Sequence, residues 1–194
     1  MQTFRTTIAL VLGLSAALLF ALASMQAQDQ AEAPAREVAP DVPDAIAVPP
    51  SLEPVLSLHA KGSQIYTCQA GADGKFAWTL KGPEAELSNR DKRVIGHHLA
   101  DPTSKLPTWR LNDGSQVSGK AAAHVDSPDS DSIPWLLVNV VSNGGNGRLA
   151  RVTAIQRVHT HGGKAGSDVC DESHKDAETK SSYIADYFFF APRT

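Results

Sequence analysis

The amino-acid sequence predicts an all-β fold: a single-domain antiparallel β-sandwich or barrel of about eight or nine strands. Two observations carry this prediction. From Val55 onward, short segments either alternate apolar and polar residues or are apolar throughout, as half-buried and fully buried strands are. Turns rich in glycine separate these segments, and none of them has the apolar stripe of an amphipathic helix over a useful length.

Residues 1–23 have the pattern of a secretory signal peptide. Arg5 precedes an apolar run over residues 8–22, and a small-x-small cleavage site ends at Ala23, with cleavage after Ala27 as the alternative. The run of about 15 residues is too short for a comfortable membrane span. We therefore expect an exported protein, periplasmic or extracellular, whose mature chain contains no membrane span.

Residues 24–48 are composed largely of alanine, proline, glutamine and acidic residues. Such a segment has too few large apolar side chains to offset the entropy lost on ordering, so it is predicted to be a disordered linker. Residues 49–194 then form the all-β domain, whose function the composition does not reveal.

The predicted strands follow one another with turn signals between them. The first two are joined by Gly71-Ala72-Asp73-Gly74, which is typical of a hairpin. Pro134 is expected at the start of its strand, where no ladder N–H is lost. The predicted strands are residues 64–68, 76–80, 93–98, 108–111, 116–123, 133–141, 148–160 and 182–190.

The chain has two cysteines, Cys68 and Cys170. In an oxidising compartment an even pair is most simply a disulfide, and two separately buried thiols are the alternative. A redox-active pair is disfavoured because the sequence has no C-x-x-C motif.

The formal net charge is −3, and acidic and basic residues are intermixed. Nucleic-acid-binding proteins carry a basic stripe, so no nucleic-acid partner is expected. A glycan or a small molecule remains as the partner class.

Histidines supply the sharpest candidate chemistry. His159 and His161 lie two residues apart in a predicted strand and therefore share a face. Together with His98, or with His97 or His124 in its place, they form an alternative zinc or copper site. Arg157 falls on that same face, and a nearby cation opposes metal binding. The other interpretations are surface histidines or a pocket in which Arg157 and His161 recognise an anionic group. No metal or cofactor is the favoured prediction.

Two further features are candidate ligand contacts. Gly162 and Gly163 permit close backbone approach to a ligand, although a turn at the end of a strand is the simpler interpretation. Trp109, next to polar turns, is the best candidate for an exposed ring that stacks on a sugar, whereas Trp78 and Trp135 are expected in the core.

The sequence contains no G-x-S-x-G nucleophile motif, and no catalytic residue is predicted. The favoured function is a non-enzymatic binding or structural protein of the cell envelope or extracellular space. A hydrolase or metal-dependent oxidoreductase that uses the histidines is the alternative.

A set of short motifs occurs in one order along the domain. Gly96-x-His98 is among them; the others are Gln64-Ile65-Tyr66-Thr67-Cys68, Trp78, Pro107-Thr108-Trp109, Asp113-Gly114-Ser115, Ile133-Pro134-Trp135-Leu136-Leu137, Thr160-His161-Gly162-Gly163 and Tyr183-Ile184-Ala185-Asp186-Tyr187-Phe188-Phe189. Over about residues 45–192 the chain resembles the domain-of-unknown-function 3455 family of exported proteins. Extra length at residues 101–106 and Gly166 in place of a proline are departures from its pattern. The resemblance implies export but no established activity.

Overall fold

The computed structural model describes residues 36–193 and shows an all-β architecture there, which confirms the predicted fold class. The predicted signal peptide and its two cleavage sites lie outside the described residues and stay predictions. The strands are β1 (Leu52–Ala70), β2 (Phe76–Ser88), β3 (Val94–Ala100), β4 (Pro107–Leu111), β5 (Gln116–Val125), β6 (Trp135–Gly144), β7 (Ala154–Gly162) and β8 (Glu178–Pro192).

The strands form one antiparallel sheet that closes into a barrel. Each strand pairs with its neighbours along the chain, and β8 pairs with β1 to complete the ring. The β1–β8 ladder runs from Leu52 opposite Pro192 to Thr67 opposite Glu178. Of the two architectures that the sequence left open, the protein therefore has the barrel, in which both edges of the described sheet are paired.

Side chains alternate between the inside and the outside of the barrel, most clearly along β8. Tyr183, Ala185, Tyr187 and Phe189 are buried, and the residues between them are less so. An eight-stranded barrel is just wide enough for side chains to fill it or for one small ligand to enter. Where β1 begins and β8 ends, the interior is a packed apolar cluster that includes Leu56, Leu58, Leu87, Leu111, Val117, Ile155 and Phe189.

Each predicted strand overlaps an observed one, but the boundaries differ. β1 begins at Leu52, well before the predicted start at residue 64, because its first half also alternates and is paired along its length with β8. β2 continues through Pro83, which follows a bulge, and bulges are among the few places where a strand accommodates proline. β7 begins at Ala154 and not at Arg148, since the residues from Arg148 onward form a turn.

The structure describes residues 36–48 of the predicted linker. Asp44–Ile46 form a short 3-10 helix, and the Ile46 side chain is fully buried. The side-chain Nε2 of Gln156 donates a hydrogen bond of 2.7 Å to the Ile46 carbonyl oxygen. This short piece therefore packs on the barrel, against β5 and β6. The boundaries of the linker and the domain stay predictions.

The sulfur atoms of Cys68 and Cys170 lie 2.05 Å apart, at disulfide distance, as the sequence predicted. The bond joins the end of β1 to the connection between β7 and β8. That connection contains no strand from residue 163 to residue 177, so the bond holds an irregular segment against the barrel. Within residues 36–193, no helix has the length and apolar character needed to cross a membrane.

Asp113 ties the β4–β5 turn to the loop between β6 and β7. Its carboxylate accepts hydrogen bonds from the backbone N–H and hydroxyl of Ser115, at 2.9 and 2.6 Å. It also accepts from the backbone N–H and Nε of Arg148, at 3.1 and 3.3 Å. Desolvation raises the pKa of Asp113, but these hydrogen bonds outweigh it and hold the pKa well below its usual range.

We expect Asp113→Asn to lower the free energy of unfolding at neutral pH by about 1 kcal/mol, because an amide cannot accept hydrogen bonds on both sides. The folded pKa is depressed, so the stabilisation is fully present above the unfolded pKa of about 3.9 and is lost as the pH falls through the folded pKa. In urea denaturation, the difference between wild type and variant should therefore shrink from about pH 7 to about pH 2. Asp126→Asn, in the exposed β5–β6 connection, is the control. An equal effect of both substitutions would contradict the prediction.

Candidate functional site

A cavity of about 180 Å³ lies in the half of the barrel nearer the disulfide. Five strands contribute the polar and aromatic part of its wall, in which Arg157 is half-buried and the other side chains are buried. These side chains are Gln64 of β1, His98 of β3, Trp109 of β4, Arg157 of β7 and Tyr187 of β8. The remaining wall is apolar: Leu80, Pro83, Pro107, Ala121, Leu136 and Val138. Polar groups thus converge in an otherwise apolar pocket, which is the usual composition of a small-molecule site.

An aromatic cluster forms the deep wall of the cavity. His98 and Trp109 are register partners on β3 and β4, and their rings stack with centroids 4.2 Å apart and an interplanar angle of 11°. The Tyr187 ring meets both edge-on, at 5.1 Å from His98 and 5.4 Å from Trp109. These rings pack against one another, so this part of the cavity wall is formed without a ligand.

His98 is held neutral with a defined tautomer. Its Nδ1 lies 3.1 Å from the Thr108 carbonyl oxygen. Because a carbonyl oxygen can only accept, Nδ1 carries the proton and Nε2 is left as an acceptor. Burial, with a smaller contribution from the positive charge of Arg157, lowers the pKa of His98 to about 3 despite the opposing hydrogen bond to Thr108.

Buried polar atoms of the cavity residues lack partners. Gln64 Oε1 and Trp109 Nε1 are fully buried and have no hydrogen-bond partner within residues 36–193. The Tyr183 and Tyr187 hydroxyls each shift the pKa of the other, and Arg157 lowers the pKa of both. Neither hydroxyl has a hydrogen-bond partner of normal geometry within residues 36–193. Each unpaired buried group costs about 1–3 kcal/mol. A polar ligand would recover part of that cost only after a side-chain movement that brings one of these atoms to the cavity surface, because the atoms themselves are sealed from solvent.

Arg157 provides the charge of the cavity. Its Nε and Nη2 donate to the Pro134 carbonyl oxygen at 3.2 and 2.8 Å, which fixes the plane of the guanidinium group. The positive charge acts on the interior groups Tyr66, Tyr183 and Tyr187 and lowers the pKa of each, although burial is the larger effect and raises all three. No aspartate or glutamate is among the described residues that line the cavity.

The cavity opens to solvent through an apolar rim. Leu80 is 53% exposed although it is a large apolar residue, and Ala121 is also exposed. Leu80 lies next to the bulge of β2, where the register between β1 and β2 shifts. Since bulges bend a strand and re-aim its side chains, this irregularity shapes the entrance.

Three of the residues proposed from the sequence as ligand contacts meet in this cavity: His98, Trp109 and Arg157. The expectation that Trp109 is exposed is wrong, because its side chain is only 2% exposed and lies inside the barrel. Trp78 and Trp135, expected in the core, are only half-buried. Alternation along the sequence identifies the strands, but it does not say which face of each strand lies inside the closed barrel.

His161, Gly162 and Gly163 lie outside the cavity lining. His161 is exposed, with Nδ1 3.2 Å from the Asp129 carboxylate. Gly163 has a positive φ of 88°, and its carbonyl oxygen accepts a hydrogen bond of 2.6 Å from the Tyr66 hydroxyl. A Cβ atom on Gly162 would lie 2.5 Å from the Ser182 carbonyl oxygen. Close backbone packing at the end of β7 therefore accounts for these glycines.

The histidines of the alternative zinc or copper site do not converge. His98 is inside the barrel, whereas His159 and His161 are exposed and contact different carboxylates, Asp186 for His159 and Asp129 for His161. His159, with a φ of 50°, lies in the bulge between Val158 and His161 and has no ladder partner on β8, whereas His161 pairs with Ile184. Among the described residues, no group of three His, Cys, Asp or Glu side chains is placed to hold a metal ion.

Sequence reasoning missed Gln64 and Tyr187. Both residues alternate with buried side chains of their strands: Gln64 with Tyr66 and Cys68, and Tyr187 with Ala185 and Phe189. A glutamine in phase with the buried face of a strand was the available signal, since buried polar side chains need partners.

A family model described as "Protein of unknown function (DUF3455)" matches residues 49–191. The match includes every residue that lines the cavity and agrees with the resemblance of the ordered motifs. No curated protein and no solved structure matches the chain.

Proposed function

The chain belongs to the DUF3455 family of proteins of unknown function, and from its structure we propose that it is an exported, non-enzymatic protein that binds one small molecule inside its barrel. The observation that carries the proposal is an open cavity in which Gln64, Trp109 and Arg157 meet in an otherwise apolar wall; the first two of these residues also hold buried polar atoms without partners. Eight-stranded barrels that hold a single small ligand are a recurrent architecture, which supports the proposal by analogy.

The size of the cavity limits the ligand. A cavity of about 150 Å³ takes up benzene, and drug-sized ligands occupy roughly 300–1,000 Å³. At about 180 Å³ the barrel accommodates a single ring or a short branched chain.

The chemistry of the cavity favours binding over catalysis. His98 is the histidine among the residues that line the cavity. Its pKa of about 3 makes it a poor general base at neutral pH. The separation of His98 from His159 and His161 also leaves the alternative hydrolase or oxidoreductase site without a shared location.

The test is a ligand-observed NMR screen of single-ring and short-chain compounds against the wild type and two rim variants. Ala121→Trp places a bulky ring at the entrance, and Ala122→Trp places the same ring on an adjacent exposed residue outside the cavity lining. We expect compounds that bind the wild type and Ala122→Trp but not Ala121→Trp. If no compound distinguishes the two variants, the cavity is not a binding site.

Export is supported by the signal-peptide pattern of residues 1–23 and by the pairing of Cys68 with Cys170. Mass spectrometry of the protein from its native host is expected to find a mature N-terminus at Ser24 or Gln28. A cytosolic protein that retains residues 1–23 would refute this part of the proposal.

A further inference from the structure

The cavity has an uncompensated positive charge. Arg157 makes no ion pair with a carboxylate within residues 36–193, and its described hydrogen bonds go to the Pro134 carbonyl oxygen. A charge at the edge of a low-dielectric interior is costly unless it is paired. An anion that entered the cavity would compensate this charge.

The guanidinium group is prepared for an anion of particular shape. The two hydrogen bonds to Pro134 fix its plane and use one edge of the fork, and the rest of the group lies near the Tyr187 hydroxyl, whose pKa it lowers. A planar fork of this kind matches the two oxygens of a carboxylate. Because the Pro134 carbonyl holds the group in place, little side-chain entropy remains to be lost on binding.

The rest of the cavity limits the size and polarity of the uncharged part of the ligand. Leu136 is the register partner of Arg157 on β6, and Tyr187 is its partner on β8, so an apolar and an aromatic side chain flank the cation. The stacked pair of His98 and Trp109 adds a flat wall, and Val138 adds a buried apolar one. A space of about 180 Å³ between such walls fits a single ring that carries one charged group.

We propose, building on the binding function above, that the ligand is a small ring-bearing monocarboxylate whose carboxylate pairs with Arg157 and whose ring lies in the pocket formed by Leu136, Val138 and the aromatic wall. His98, neutral and with Nε2 as an acceptor, does not compete with Arg157 for the anion. It can accept a hydrogen bond from a hydroxyl group on the ligand.

The experiment compares matched probes of one ring size by isothermal titration and NMR: benzoate, benzamide and benzyl alcohol. Arg157→Gln removes the charge, and its amide can still donate to the Pro134 carbonyl. Arg151→Gln is the matched control, because Arg151 also donates to a backbone carbonyl, that of Pro192 at 3.2 Å, and lies outside the cavity. Circular dichroism and the thermal midpoint report whether each variant folds.

We expect benzoate to bind the wild type and Arg151→Gln more tightly than the neutral probes do. Arg157→Gln should weaken benzoate binding by about 10- to 100-fold and change the binding of benzyl alcohol little. If Arg157→Gln does not fold, Arg157→Lys, which keeps the charge and loses the planar fork, should still bind benzoate, but more weakly than the wild type.

The two proposals fail in different ways. Neutral probes that bind as tightly as benzoate, or a benzoate affinity that Arg157→Gln leaves unchanged, would overturn the carboxylate assignment and leave the binding function standing. Absence of binding by all three probes and by every compound of the wider screen would overturn both proposals.

Discussion

Replacing Cys68 and Cys170 together by alanine is expected to lower the free energy of unfolding by about 2–5 kcal/mol. The two residues are 102 positions apart in the sequence, so their bond restricts a long loop of the unfolded chain. In the folded protein it also holds the irregular segment between β7 and β8 beside the end of β1. Urea denaturation of wild type and double variant, in oxidising and reducing buffer, measures the effect.

Reduction provides the internal control for this experiment. The chain has no other cysteine, so a reducing agent acts on this bond alone. Reductant should lower the wild-type denaturation midpoint toward that of the double variant and leave the variant unchanged. Equal midpoints for oxidised and reduced wild type would show that the bond contributes nothing to stability.

Phe189→Ala is expected to lower the free energy of unfolding by about 3–5 kcal/mol, which is typical of truncating a buried aromatic residue. Phe189 is fully buried, belongs to the apolar cluster and meets the Trp109 ring edge-on with centroids 6.4 Å apart. Removal of the ring leaves a cavity beneath the aromatic wall of the binding site. Urea denaturation measures the loss, and near-ultraviolet circular dichroism reports the altered surroundings of Trp109.

The matched control is Phe188→Ala, one residue earlier on the same strand. Phe188 faces the outside of the barrel, is only half-buried and lines a shallow surface groove with His59 and Asp186. Phe188→Ala should lower the free energy of unfolding by roughly half as much or less, because folding removes less of the apolar surface of Phe188 from water. Equal losses for the two substitutions would contradict the inside–outside register of β8.

The strands and turns were predictable because their signals are local. Alternation along residues 64–68 and 182–190 reflects the pleat of a strand, and Gly71-Ala72-Asp73-Gly74 reflects the backbone requirements of a hairpin. The start of β1 was missed because proline-rich residues precede it and obscure the alternation that begins at Leu52. That half of the strand is stabilised by pairing with β8, more than a hundred residues away.

The candidate site was predictable only in part. His98 and Arg157 were singled out for their chemistry, and the structure places them in one cavity. The polar neighbours of Trp109 in sequence predict an exposed ring, whereas the ring points into the barrel. Gln64 looked like an ordinary polar residue of a strand and gained significance only from the buried environment around it.

The amino-acid sequence by itself determined the all-β class, the order of the strands and the cysteine pair, because pleat periodicity, turn chemistry and residue counting need only neighbours along the chain. The tertiary structure decided the rest: the closure of β1 on β8, the face of each strand that is inside, and the meeting of side chains from β1, β3, β4, β7 and β8 in one cavity. Those features depend on strand register around a ring. Register is set by contacts between residues far apart in sequence, so no local pattern records it.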